Sequence, residues 1–172
     1  MLGLRHALSI LLLPGTVLVV VPAILLAGNE SVSVGWGLPG VVAIVPVALG
    51  LALLGVGATL IAWAIALCVR IGRGTLAPWD PTTRLVVHGP YRHVRNPMIG
   101  GVLFCLLGEA ALLGSWPLLV WFGLAATVNA IYMPLVEEPG LVRRYGGEYE
   151  RYRDAVPRWI PRLRPWEPYP PP

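Results

Sequence analysis

The chain has 172 residues, of which 56% are hydrophobic and 13% charged, with a formal net charge of +4 and a mean hydropathy of +0.68. A soluble domain of this length is rarely more than half apolar, so the composition points to a membrane protein. The thirteen basic residues are all arginine and cluster beside apolar runs, a pattern that suits membrane topology and lipid headgroups and argues against nucleic-acid binding.

The spacing of charge predicts four membrane spans in one domain, residues 1–172. A hydrocarbon core asks for about 20 apolar residues per helix. The first span is 8–27, after Arg5, and contains Pro14 and Pro22. Its length and the poor cleavage context around Ala27 predict an uncleaved anchor. Residues 28–40 read as a short outer loop with an interfacial Trp36. The second span, 42–69, is uncharged and carries Gly50, Gly55, Gly57 and Ala58, small residues that let another helix approach closely.

A Gly- and Pro-rich loop follows at 70–83, then a short apolar patch, Leu85-Val86-Val87, expected to re-enter the interface. Gly89-Pro90 reads as a turn. Asn96-Pro97 opens the third span, 97–113, with Asn as N-cap and Pro at the first helical position. Gly114-Ser115-Trp116-Pro117 makes a turn too short for its two helices to be anything but neighbours. The fourth span is 116–136, and Glu137-Glu138-Pro139 is expected to end it. Two carboxylates at a helix C-terminus oppose the macrodipole, so the pair asks for a reason.

The cytoplasmic tail, 137–172, holds Leu141, Tyr145, Tyr149 and Tyr152 at helical spacing. It reads as an amphipathic interfacial helix followed by an extended, proline-rich end. With four spans every arginine falls on one side, so the positive-inside rule places both termini and the loop 70–96 in the cytoplasm of a multi-pass cell-membrane protein. Glu109 lies near the outer end of the third span, where an acid is either functional or reaching the interface.

Polar groups therefore collect at one cytoplasmic interface, where 84–97, the Glu pair and the tail meet. Cys68 and Cys105 sit inside apolar runs and read as packing residues. His88 and His93 are five apart with no cysteine partner, so no metal site is expected. A mixed-charge pocket beside lipid suits a zwitterionic ligand and a lipid-borne acceptor. Arg92 or Arg95 is placed to hold a carboxylate bidentately. For an amine acceptor, Glu138 or His93 is a candidate base.

The run Gly89-Pro90-Tyr91-Arg92-His93-Val94-Arg95-Asn96-Pro97-Met98 is followed in order by Glu137-Glu138-Pro139, Tyr145-Gly146-Gly147-Glu148-Tyr149-Glu150-Arg151-Tyr152 and Val156-Pro157-Arg158. Together, over residues 72–162, they resemble the isoprenylcysteine carboxyl methyltransferase and phospholipid methyltransferase family. The resemblance implies an all-α, polytopic membrane enzyme with about four transmembrane helices and a C-terminal amphipathic helix capping a cytoplasmic-face cofactor pocket. It implies S-adenosylmethionine as methyl donor and a lipophilic acceptor in contact with membrane lipids, either isoprenylcysteine carboxylate-like or phospholipid amine-like.

Carried over position by position, the cofactor contacts would be Leu85, Val86, Tyr91, Asn96, Pro97, Met98, Ile99 and Glu137, with Glu138, Arg92 and His93 as the catalytic set. Two departures stand out. Many members have His where this chain has Asn96, and most have Tyr where it has Ile99, which cannot donate a hydrogen bond.

Two other readings stay open at this level. One is a membrane reductase using NADPH, since sterol-type reductases have a similar C-terminal region. The other is a non-enzymatic four-span protein, for which Glu109 is the supporting feature. Nothing in the sequence sets an oligomeric state. The topology is testable by single-cysteine labelling in intact cells. Thr82→Cys is expected to be protected from an impermeant reagent and Ser31→Cys to react; labelling of Thr82→Cys from outside would contradict the assignment.

Overall fold

The computed structural model describes residues 11–28, 32–72 and 83–167. The first residues of the expected first span, residues 29–31 of the outer loop, most of the 70–83 loop and the proline-rich end from 168 lie outside them. Among the described residues every regular element is helical.

A π-helical run, Leu11–Val20, leads into α1, Val21–Ala27. The following helices are α2, Ile44–Leu67, α3, Pro97–Leu113, α4, Trp116–Tyr132, α5, Glu138–Tyr145, and α6, Gly147–Ala155.

Among the described residues two continuous helices are long and apolar enough to cross a membrane: Gly40–Gly72, with 33 residues, and Trp116–Tyr145, with 30. At 1.5 Å per residue each exceeds the roughly 30 Å of a hydrocarbon core. The apolar helices Pro14–Ala27 and Pro97–Leu113 are shorter, and the second is at the lower limit for a span. The long helices are apolar on all sides and leave large side chains uncovered, Val45 and Val120 among them. That is the pattern of a lipid-facing helix rather than of a soluble core.

The fourth apolar helix does not stop at the Glu pair. It continues through a π-helical turn, Met133–Glu137, into α5. The reason lies in Pro139, which has no N–H and whose ring disfavours the carbonyl four residues back. The wider turn absorbs this, with the Glu138 N–H bonding to the Met133 carbonyl five residues back. The carboxylates thus sit inside a helix and not at its C-terminus. A hydrocarbon core asks for about 20 apolar residues, and Glu138 lies beyond that length counted from Trp116.

The chain divides into two compact units, Met1–Thr59 with Gly101–Val128, and Leu60–Gly100 with Asn129–Pro172. In the first, α2 and α3 approach through small residues. A Cβ on Gly57 would lie 2.6 Å from the Gly101 carbonyl oxygen and 2.6 Å from Cys105 Sγ, and one on Gly50 would lie 2.8 Å from the Gly108 oxygen. The α3–α4 turn is closed by the segment around Trp36. The Ser33 N–H bonds to the Leu113 carbonyl, the Trp36 indole N–H to the Ala111 carbonyl at 3.1 Å, and the Trp36 and Trp116 rings meet edge to face. The Trp121 indole N–H ties α4 to the Val17 carbonyl of the first helical run.

The second unit is built on a cluster of Val87, Tyr149, Tyr152 and Val156, with Leu85, Leu141, Val142, Tyr145 and Trp166 packed around it. Two expectations change here. The Leu85-Val86-Val87 patch is buried in protein instead of re-entering the interface, because tyrosines of the tail cover it. The tail helix is not continuous: Gly146 adopts φ 56°, a left-handed conformation open to glycine, and splits it into α5 and α6. The Leu141, Tyr145, Tyr149, Tyr152 stripe forms the core of this unit.

Gly57 and Gly55 give a matched pair. Gly57→Ala forces a methyl against backbone and is expected to destabilise the protein by about 1–3 kcal/mol, read as a lower thermal midpoint in detergent. A Cβ at Gly55 meets nothing within 4 Å, so Gly55→Ala should leave the midpoint unchanged or raise it.

Candidate functional site

The expected cofactor-binding and catalytic residues all lie in the second unit, between Leu85 and Ile99 or at Glu137 and Glu138, whereas Glu109 lies in the first. The first part is a short helical turn, Gly89–Arg92. Gly89 has φ 55°, and a Cβ there would come within 2.9 Å of the Trp63 ring. Only glycine satisfies both the backbone and the close approach. The turn seats Tyr91 with its hydroxyl 3.6 Å from Cys68 Sγ. The Tyr91 carbonyl accepts a 2.7 Å hydrogen bond from the Tyr152 hydroxyl. Burial pushes the Tyr91 phenol well above its ordinary value and raises Tyr149 and Tyr152 as well, so all three remain neutral.

After α6 the chain leaves the helix and runs back along residues 95 to 92. The Arg95 N–H bonds to the Pro157 carbonyl, the Arg162 N–H to the His93 carbonyl, and the Trp166 N–H to the Arg92 carbonyl. The order is antiparallel, so residues 157–166 form a strap over the turn. Side chains reinforce it. Arg92 Nε donates to the Trp166 carbonyl at 2.8 Å, and its Nη2 pairs with Glu167 at 2.9 Å. His93 Nδ1 lies 2.8 Å from the Arg162 carbonyl. A carbonyl only accepts, so Nδ1 carries the proton and the lone pair of a neutral ring is on Nε2. Trp166 in turn packs on the Tyr152 ring.

Glu138 is held from two sides. Arg158 donates from Nε to Oε1 and from Nη2 to Oε2, the latter at 2.9 Å, a bidentate pair. Arg95 Nη1 forms an ion pair with Oε1 at 2.9 Å, and among the described residues Arg95 Nε has no hydrogen-bond partner. The Glu138 and Arg95 side chains are only 10% and 9% exposed. Burial alone would raise the Glu138 carboxyl. The Arg158 hydrogen bond and the charges of both arginines outweigh it and hold the group below its ordinary value.

The neighbouring Glu137 is half-buried and, among the described residues, faces no such clamp. Asn96 accepts the Gly100 N–H on its carbonyl, closing the first turn of α3, while its buried Nδ2 has no partner. Pro97 is fully buried, Val86 is buried, and Leu85, Met98 and Ile99 are partly exposed.

The structure thus engages Arg92 and His93, expected as catalytic, with the strap. Sequence reasoning did not find Arg158, Tyr152 or Cys68 as parts of this constellation. For Arg158 a signal existed in Val156-Pro157-Arg158, but spacing alone does not say which acid a distant arginine meets.

Residues 45–148 match the phospholipid methyltransferase family. The chain is also similar to the protein-S-isoprenylcysteine O-methyltransferase of Schizosaccharomyces pombe, with 36% identity over 77 residues. That match takes in 45% of this chain and 33% of the relative. No solved structure matches. The family match covers more than half of the sequence, and the chain belongs to the phospholipid methyltransferase family. This favours the methyltransferase reading over the reductase and the non-enzymatic four-span protein.

The clamp has a pH signature. A carboxyl held below its ordinary value contributes stability that is present above the unfolded value, 4.5, and is lost as pH falls through the folded value. Glu138→Gln leaves Arg95 buried without its counter-charge, and is expected to cost about 3 kcal/mol near neutral pH. Thermal melts from pH 7 downward should show the gap between parent and variant closing below 4.5. A gap independent of pH would contradict the assignment.

Proposed function

We propose that the chain is an integral membrane methyltransferase that transfers a methyl group from S-adenosylmethionine to a lipophilic acceptor, isoprenylcysteine carboxylate-like or phospholipid amine-like. The observation that carries the reading is the asymmetry of the acid pair. Glu138 is fully engaged by arginines, while Glu137, on the adjacent helical position, is half-buried and meets no arginine among the described residues.

The donor set fits the cofactor. Its ammonium group asks for a carboxylate, which Glu137 offers. Its carboxylate asks for a donor, and Asn96 Nδ2 is a buried donor with its hydrogen bonds unmade, a costly state without a ligand. Leu85, Val86 and Met98 supply apolar wall, and Pro97 fixes the start of α3. When bound, S-adenosylmethionine supplies an electrophilic methyl on a sulfonium centre.

The residues themselves mainly align and desolvate. Tyr91, neutral and anchored at both its carbonyl and its hydroxyl, holds the wall in place. Glu138 acts as a positioning residue: clamped and acidified, it is a poor base. If the acceptor is an amine, His93 Nε2 is the atom with a lone pair to take the proton, since Nδ1 is committed to the Arg162 carbonyl. A carboxylate acceptor needs no base. Ile99, where the family has Tyr, makes the mouth more apolar and suits a greasy acceptor.

Isothermal titration with S-adenosylhomocysteine tests the reading. Micromolar binding is expected for the parent. A hydrogen bond to a charged group is worth about 1.5–3 kcal/mol, so Glu137→Gln should weaken binding by roughly tenfold or more with the thermal midpoint retained. No binding by the parent, or unchanged affinity in a folded Glu137→Gln, would contradict it. Labelled S-adenosylmethionine followed by mass spectrometry of lipid products then separates the two acceptor chemistries.

A further inference from the structure

The strap has two unlike faces. Its inner side is used: Arg158 on Glu138, Trp166 on Tyr152, and backbone on Arg92, His93 and Arg95. Its outer side carries Ile160, 80% exposed, and Leu163, 97% exposed. Two branched aliphatic side chains held open to solvent in a segment otherwise made of arginine, proline and tryptophan ask for a partner.

The strap's anchor points give its level. Arg92, His93 and Arg95 immediately precede the apolar helix α3, and Glu138 follows the apolar stretch of α4. On the reading that these apolar helices cross a bilayer, on which this inference rests, both anchors lie where helices leave the hydrocarbon, so the strap lies in the headgroup layer. Its charge has the matching sign. Arg158 is paired with Glu138, which Arg95 shares, and Glu167 is paired with Arg92. Arg162 donates to the neutral Ala155 carbonyl, and Arg164 is exposed. Among the described residues neither meets an acid, and they bracket Leu163.

We propose that the outer face of residues 158–164 is a lipid-docking surface. Ile160 and Leu163 enter the headgroup–acyl boundary of an anionic phospholipid leaflet, and the Arg162 and Arg164 guanidinium groups meet its phosphates. An aliphatic pair flanked by cations is the composition that binds such a surface, through buried apolar area plus attraction to negative headgroups.

The test is nitroxide accessibility in the full-length protein, reconstituted in nanodiscs of phosphatidylcholine or of an equimolar mixture with phosphatidylglycerol. Cys68 and Cys105 are buried, so the parent serves as the labelling background and the control. Leu163→Cys, Ile160→Cys, Asp154→Cys and Val120→Cys are labelled singly. The expected result is that Leu163 and Ile160 labels collide more with oxygen than with a water-soluble nickel chelate. Their values should approach those of Val120, while the Asp154 label stays aqueous. The preference should be stronger in the anionic discs, and Arg164→Gln should reduce that difference.

Water-like accessibility at both strap positions with Val120 in hydrocarbon overturns the docking surface alone. Labels at 160 and 163 shielded from both reagents indicate a protein contact and also overturn it. A water-exposed Val120 overturns the membrane-spanning reading together with it.

Discussion

The second unit depends on one carboxylate. Glu138 sits nearly buried at the end of an apolar stretch, an expensive place for a charge unless it is paired and hydrogen-bonded. Arg158 satisfies both of its oxygens, and Arg95 adds a second positive charge. Each arginine brings a different piece of chain to the same point: Arg95 the segment that opens α3, and Arg158 the start of the strap. A π-helical turn allows the acid to be there at all, by carrying the helix past Pro139. Removing the carboxylate would leave a cation buried beside it, and the loss would be felt in both segments.

From that point the arrangement propagates by backbone geometry. With Pro157 bonded to Arg95, the chain can only run antiparallel to 92–95, and the bonds at His93 and Arg92 follow. Tyr152 fixes the other side of the turn through the Tyr91 carbonyl. The groups left without partners are the informative ones. Among the described residues Arg95 Nε and Asn96 Nδ2 are buried donors without a hydrogen-bond partner, in consecutive positions, and Glu137 is half-buried. On the proposed reading these groups receive a ligand carrying both charges.

Much of this was legible in the sequence, and the remainder was hidden for identifiable reasons. The apolar runs announced the long helices, and Asn96-Pro97 announced the start of α3, because these signals are local. The extent of the fourth apolar helix was misjudged at Glu137-Glu138-Pro139. Proline normally marks a boundary, and a π turn that absorbs it has no sequence mark. The spacing of the tyrosine stripe marks one face, and an amphipathic pattern beside apolar runs suggests the membrane as its partner. The partner in the fold is Val87 and its neighbours, more than 50 residues away, and periodicity does not say what a face packs against. The contacts of Arg92 and His93 with the tail were hidden for a similar reason. Their backbone and side chains meet residues 162–167, and that register is a tertiary fact.

Amide hydrogen exchange by mass spectrometry on the intact protein in micelles tests most directly whether the Glu138 clamp holds the strap. The N–H groups of Arg95, Arg162 and Trp166 are the rungs between strap and turn. The account predicts that they exchange slowly in the parent and lose protection together in Arg158→Met, while the amides of α2 keep theirs. Protection of the three rungs unchanged in Arg158→Met would contradict it.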